Sequence, residues 1–337
     1  KTKTKTNKQR KNMNAIKKIG LTALAGSLVA TSVFAGELSV TGSAGMGLAN
    51  QDKKTQGNGF SMYDEVTFSG SGEMDNGWTV AVSMQLDNNA NGATSGNNMD
   101  NRSVKIGMGD MGTVTFYGHG ADSAFSAVDD VMPTAYGEAW DIIGAKTTAV
   151  ATGQALKEGA IGGFGSNNSF MYDVPEMVDG LDVNLSYVPS GGTRSDGSIS
   201  VALAYTGVEG LTVGYAQDDN GMSGTSSLET ETMYAKYAIG SFTIGVQETE
   251  QENDGATTSD DEFSAMGITY QVSDDLTIGY NASERQFGDK TADQENKALS
   301  VSYTSGGMTI SAAHVSMDNV GGSTAARDDI DGYALDV

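Results

Sequence analysis

Trp78-Thr79-Val80-Ala81-Val82-Ser83-Met84-Gln85-Leu86 places a large apolar side chain on every second residue, with small or polar residues between. Successive side chains of a strand point to opposite faces, so this stretch reads as a strand with one apolar and one polar face. The alternation restarts through the chain, in Leu38/Val40, Val104/Ile106/Met108, Leu181/Val183/Leu185/Tyr187, Ile199/Val201/Leu203/Tyr205, Phe242/Ile244/Val246, Leu276/Ile278/Tyr280 and Leu299/Val301/Tyr303. The opposite face is built from Thr, Ser, Gly, Asn and Asp, which suit water. A sheet apolar on one side and wet on the other, sustained through a whole chain, is the requirement of an all-β transmembrane antiparallel barrel.

The composition agrees. Among 337 residues there are 45 Gly, three Pro and no Cys. After Phe34 no stretch is apolar for the roughly 20 residues that a membrane helix needs. A closed barrel escapes that need, because its backbone groups pair between strands. Residues 13–35 read as a secretory signal: Lys17 and Lys18, an apolar run from Ile19 to Ala30, then Val33-Phe34-Ala35 before a cleavage point. Residues 1–12 are a basic low-complexity stretch read as upstream of the native product, and 36–337 as the barrel. Without residues 1–35 the chain keeps 12 Lys and Arg against 43 Asp and Glu, a net charge of −31. That balance argues against nucleic-acid binding and for contact with cations.

Sixteen strands are predicted, at 37–49, 62–70, 78–87, 101–108, 112–119, 168–173, 181–189, 197–206, 210–217, 230–238, 241–250, 261–271, 275–285, 296–304, 308–317 and 328–337. Short connections such as Gly109-Asp110-Met111 and Ser305-Gly306-Gly307 alternate with longer ones rich in Asn, Asp, Gly and Ser. Short turns at one end and long loops at the other are the arrangement of an outer-membrane barrel, with the short turns in the periplasm. On that direction Phe68, Trp78, Tyr205, Tyr237, Phe242, Tyr270 and Tyr303 fall near the inner membrane surface. Tyr187, Tyr215, Phe263 and Tyr280 fall near the outer one, as two aromatic girdles. Lys105, Lys236 and Arg285 hold inward parity, where a charge is not set against lipid, and His119 is read as inward and pore-lining.

The longest connection, 120–167, contains Asp122, Asp129, Asp130, Pro133, Glu138, Trp140 and Asp141. A loop of this length in a compact protein is usually functional or disordered. Phe68 to Trp78, Val104 to Phe116 and Tyr172 to Leu181, in this order and behind a signal sequence, resemble the general diffusion porins of Gram-negative bacteria, particularly the alphaproteobacterial branch. The resemblance spans Gly36 to Val337.

It implies a 16-stranded barrel, usually a homotrimer, set in outer-membrane lipid and lipopolysaccharide and delivered by the barrel-assembly machinery. It further implies that the third outer loop folds into the lumen and narrows it, making Asp122, Asp129, Asp130, Glu138 and Asp141 the acidic side of a constriction. Lys105, Lys236 and Arg285 would be the basic wall facing them. The expected function is a water-filled, weakly cation-selective pore for small hydrophilic solutes. Members of the family end on an aromatic residue; this sequence ends on Val337, with Tyr333, Leu335 and Val337 at outward parity, so a few further residues are expected.

Other chemistry finds little support. Two His and no Cys leave no zinc site or thiol nucleophile, and no Ser–His–carboxylate motif surrounds His119 or His314. The acidic stretches Asp254 to Glu262 and Asp328-Asp329-Ile330-Asp331 offer oxygen ligands for Ca²⁺ without a fixed spacing motif. The rival readings are a substrate-selective channel on the same barrel and an exported surface-layer or solenoid β-protein. The solenoid requires a fixed repeat period, which the strand spacing lacks.

Overall fold

The computed structural model describes residues 37–51, 59–87, 99–121, 123–128, 130–142, 161, 164–165, 167–191, 196–222, 227–253, 260–324 and 329–337. Sixteen strands form one closed antiparallel barrel. In chain order they are β1 Glu37–Gln51, β2 Gly59–Glu73, β3 Thr79–Asp87, β4 Met99–Gly107, β5 Thr113–His119, β6 Ser169–Asp173, β7 Leu181–Val188 and β8 Ser198–Val208. They continue as β9 Leu211–Asp219, β10 Leu228–Ile239, β11 Phe242–Asn253, β12 Asp261–Ser273, β13 Leu276–Gln286, β14 Gln294–Ser305, β15 Met308–Asp318 and β16 Ile330–Asp336. Each strand pairs with its sequence neighbours, and β16 returns to β1 from Gly47↔Asp336 to Gln51↔Gly332. The reciprocal hydrogen bonds of Met46 and Val337, 2.9 and 3.0 Å, seal the seam.

All sixteen predicted strands are present, with ends moved by no more than three residues. Polar residues Ser71-Gly72-Glu73 and Gln251-Glu252-Asn253 extend β2 and β11 past the stretches where apolar alternation marks them, and Phe60 carries that alternation one step before Met62 at the start of β2. The tight connections share one end of the barrel. There Gly210 sits at φ +76°, a backbone open to Gly, and a Cβ on it would stand 2.5 Å from the Ala238 carbonyl oxygen.

The barrel is turned inside out relative to a soluble protein. On β11, Val246 is 54% exposed, whereas its neighbour Gln247 is 3% exposed. Ile199, Met233, Ile244, Met266 and Leu299 likewise point outward and exposed. Apolar area left outside is stable only against lipid, since each such side chain gains about 1.5–3 kcal/mol on leaving water. No helix among the described residues is long and apolar enough to cross a membrane; the strands do so.

Tyr237, Phe242, Tyr270 and Tyr303 form the expected outward girdle near the short turns, with Phe242 and Tyr270 stacked at 4.6 Å. Phe263 departs from its predicted place in the outer girdle. Its parity is that of Ala265, so it points inward and is 3% exposed against Trp140, their ring centroids 5.1 Å apart. Toward the long-loop end the outward face turns acidic: Glu231, Glu250 and Glu262 lie directly opposite one another across β10, β11 and β12.

Candidate functional site

The third long loop enters the lumen. Gly120 donates its N–H to Asn167 Oδ1 at 3.0 Å, pinching the two ends of the loop together. The chain then turns through a short 3-10 helix, Ala124–Val128. The Ala124 and Phe125 N–H groups donate to Ser186 Oγ on β7 and Ser200 Oγ on β8, both at 2.9 Å. Phe125 is fully buried beneath it, and Gln247 Nε2 on β11 donates to the Val128 carbonyl at 3.2 Å. Helix-end groups without an internal partner are thus met by the wall.

Beyond it the loop lies along one cross-strand row. Lys236, Gly245, Gly267 and Asn281 are register partners on β10 to β13. The two glycines cut a ledge: a Cβ on Gly245 would stand 2.5 Å from Pro133 Cδ, and one on Gly267 2.5 Å from the Pro133 carbonyl oxygen. The fully buried Asn281 reads both sides of the loop backbone, accepting from the Ala139 N–H at 2.6 Å and donating to the Gly137 carbonyl at 3.2 Å. Ala135 N–H donates to Ser300 Oγ at 3.3 Å, and the Tyr136 hydroxyl donates to the Asp336 carboxylate across the lumen seam. Burial, and secondarily Tyr63, raises the Tyr136 phenol above its ordinary range, which keeps it a donor. On the returning arm Phe164 N–H donates to Asp218 Oδ2 at 2.7 Å.

These docking residues, Ser186, Ser200, Gln247, Asn281, Ser300 and Asp336, are absent from the sequence expectations. Their type and parity are visible in the sequence, but Ser and Asn on the inner face read equally well as water-facing. The one usable signal is the pair Gly245 and Gly267, two glycines at inward parity on neighbouring strands.

Of the five predicted loop acids, Asp122 and Asp129 lie outside the described residues. The other three are brought together: one carboxylate oxygen from each of Asp130, Glu138 and Asp141 lies within 4.8 Å of the others. Asp130 and Asp141 are exposed, whereas Glu138 is 5% exposed. Glu138 Oε1 accepts the Met132 N–H at 2.7 Å. Burial, and then the charge of Asp130, pushes the Glu138 carboxyl up to about 9.

The predicted basic wall is dispersed. Lys105 Nζ lies 3.7 Å from Asp173. Arg285 pairs with Asp261 at 2.6 Å and lies over the Phe287 ring at 4.7 Å. Lys236 alone shares the row of the loop ledge, its ammonium 5.6 Å from the centre of the Tyr234 ring. His119 does not keep the inward parity expected of it. The register slips by one between Arg102 and Ser103, which sets His119 opposite Arg102 on the outward parity. The acidic stretches considered for Ca²⁺ do not gather either. Asp261 holds Arg285 and the Gly288 N–H, Asp329 accepts the Asn319 N–H, and Asp331 meets His314 at 2.9 Å. Asp254 and Asp328 lie outside the described residues.

A model of the Gram-negative porin family matches residues 20–335. The anion-selective porin from Comamonas acidovorans is 15% identical with a TM-score of 0.64, the match covering 89% of this chain and 98% of that one. OmpT, an outer membrane protein of Vibrio cholerae, is 14% identical with a TM-score of 0.63, covering 93% and 98%. A mutant of Rh. blastica porin is 14% identical with a TM-score of 0.62, covering 89% and 98%. At these identities the likeness is one of fold. No curated protein sequence matches the chain. The family match carries no branch, so the alphaproteobacterial affinity stays an expectation of the sequence. A closed barrel with apolar outer face, polar lumen and inward-folded third loop, matched by the family over nearly its whole length, is an outer-membrane diffusion channel and not an enzyme: the chain belongs to the Gram-negative porin family.

Proposed function

We propose that the pore passes small hydrophilic solutes and ions with a weak preference for cations. One observation carries the sign: the exposed carboxylates of Asp130 and Asp141 converge in the lumen beside the buried Glu138, while Lys105 and Arg285 are each held by a wall acid elsewhere. Fixed carboxylates in a narrow passage raise the local cation concentration and lower that of anions. The fold does not decide this sign, since the anion-selective porin from Comamonas acidovorans shares it. Charge at the constriction does.

Planar-bilayer recording under a KCl gradient tests the reading. The expected result is stepwise conductance with a cation-selective reversal potential, and the double variant Asp130→Asn/Asp141→Asn moves that potential toward zero. An anion-selective wild type, or a double variant that leaves the potential unmoved, contradicts it.

The mature protein in this reading begins at Gly36, after loss of residues 13–35, and assembles as a homotrimer in contact with lipopolysaccharide. Mass measurement of the exported protein, and cross-linking of the folded one, test those two points.

A further inference from the structure

We propose that the lumen wall of β1 to β4 carries a subsite for a neutral sugar, with Tyr63 as its platform and Glu65, Gln85 and Asn101 as its hydrogen-bonding rim. The proposal rests on the channel reading above and names a class of solute for it.

The third loop is bedded on β7 to β16, which leaves β1 to β4 facing it across the passage. On that wall Gly45 and Tyr63 are register partners. A Cβ on Gly45 would stand 2.2 Å from both Cζ and the hydroxyl oxygen of Tyr63. The ring therefore fills the place of the side chain that glycine lacks and lies against the backbone of β1. Tyr63 is 44% exposed, so its other face is turned to the lumen. Tyr136 of the loop lies close enough for Tyr63 to raise its phenol, which sets the ring beside the edge of the loop.

The next row on the same face is a chain of polar groups. Ser43 Oγ donates to Glu65 Oε1 at 3.0 Å, and Gln85 Nε2 donates to Glu65 Oε2 at 2.6 Å. Asn101 Nδ2 donates to Gln85 Oε1 at 2.8 Å. These bonds fix the planes of one carboxylate and two amides before any solute arrives, so little binding energy goes into ordering them. Each carboxylate oxygen has more than one acceptor position and each amide nitrogen two N–H groups, so the chain keeps capacity for further hydrogen bonds.

A pyranose offers a face of C–H bonds and a rim of hydroxyls that both donate and accept. Tyr63 and Glu65 are two residues apart on β2, about 7 Å along one face, which matches a sugar ring and its hydroxyls. An apolar ring face with a few placed polar groups beside it is the make-up of a small-molecule site. A quaternary ammonium calls for a cage of rings, whereas here one ring stands among amide donors. An anionic sugar would meet the charge of Glu65. The neutral sugar is the solute that satisfies both halves of the wall.

Maltotriose is the probe, with the protein held in a detergent that has no sugar headgroup before insertion into bilayers. It is expected to interrupt the open-channel current saturably, with half-saturation in the millimolar range, while a polyethylene glycol of similar size lowers the current without saturation. Tyr63→Phe keeps the platform and stays within about twofold of wild type, whereas Tyr63→Leu raises the half-saturation concentration about tenfold. Glu65→Ala raises it by about fivefold. Saturation-transfer NMR of the folded protein with maltotriose reads the same contact without current: transfer to the sugar C–H protons is expected in wild type and is lost in Tyr63→Leu. Interruption that does not saturate, or affinity and transfer unchanged in Tyr63→Leu, overturns the subsite. An open pore that maltotriose leaves untouched ends the subsite and leaves the channel reading standing; a folded protein that passes no current ends the channel reading, and the NMR experiment still decides the subsite.

Discussion

Asn281 joins the wall to the loop through both of its amide atoms, and it is fully buried. Asn281→Ala leaves the Ala139 N–H and the Gly137 carbonyl without their wall partner. The expected cost is about 1–3 kcal/mol, read as a lower urea midpoint with an unchanged slope, and open-channel current noise rises as the loop loosens. Gly267 acts by absence: Gly267→Val drives a side chain into the space held by the Pro133 carbonyl, 2.5 Å from where its Cβ must stand. The loop is pushed toward the pore axis, and single-channel conductance falls. Gly307→Ala, with nothing within 4 Å of its Cβ and no positive φ, leaves conductance unchanged. At this scale the sequence was partly legible. Asp130, Glu138 and Asp141 stand out as acids in a long loop, but nothing local says that Glu138 is covered by its own loop while Asp130 and Asp141 stay exposed. That distinction is made by Pro133, Trp140 and the strands they press on, which are distant in sequence.

Strands announce themselves because lipid enforces a period of two. Val246, Met266 and Leu299 must all face outward, and a slip of one residue would set Gln247 against lipid. Phe263 shows where such reading fails: an aromatic near a strand end suggests a girdle, yet its parity turns it under Trp140. His119 shows the second failure, since the slip between Arg102 and Ser103 reverses a parity counted along β5. Register also exposes a tension that the sequence hides. Glu250 lies between Glu231 and Glu262 on neighbouring strands. Like charges directly opposite are destabilising, so Glu250→Gln is expected to stabilise the barrel by ~0.2–1 kcal/mol at low salt. Urea unfolding in detergent should show the gain shrinking in 1 M salt, where the Debye length is about 3 Å.

At the scale of the whole molecule, the barrel is a frame whose inner wall is fitted to one loop. From β7 to β16 the polar inner face that reads as water-facing in the sequence is in large part a bed for residues 124–142 and 164. Pore width and charge are therefore properties of that loop's seat. The chain has no cysteine, so an introduced pair reports without interference. Ala135 on the loop and Ser300 on β14 are joined by a 3.3 Å hydrogen bond across the lumen face. The measurement is non-reducing peptide mapping of the refolded Ala135→Cys/Ser300→Cys chain after mild oxidation. A loop seated in the lumen is expected to give the 135–300 disulfide in nearly every folded barrel, with conductance close to wild type. A folded, conducting barrel in which those two thiols stay free and accessible to reagent would contradict the inward loop, and with it the constriction assigned here.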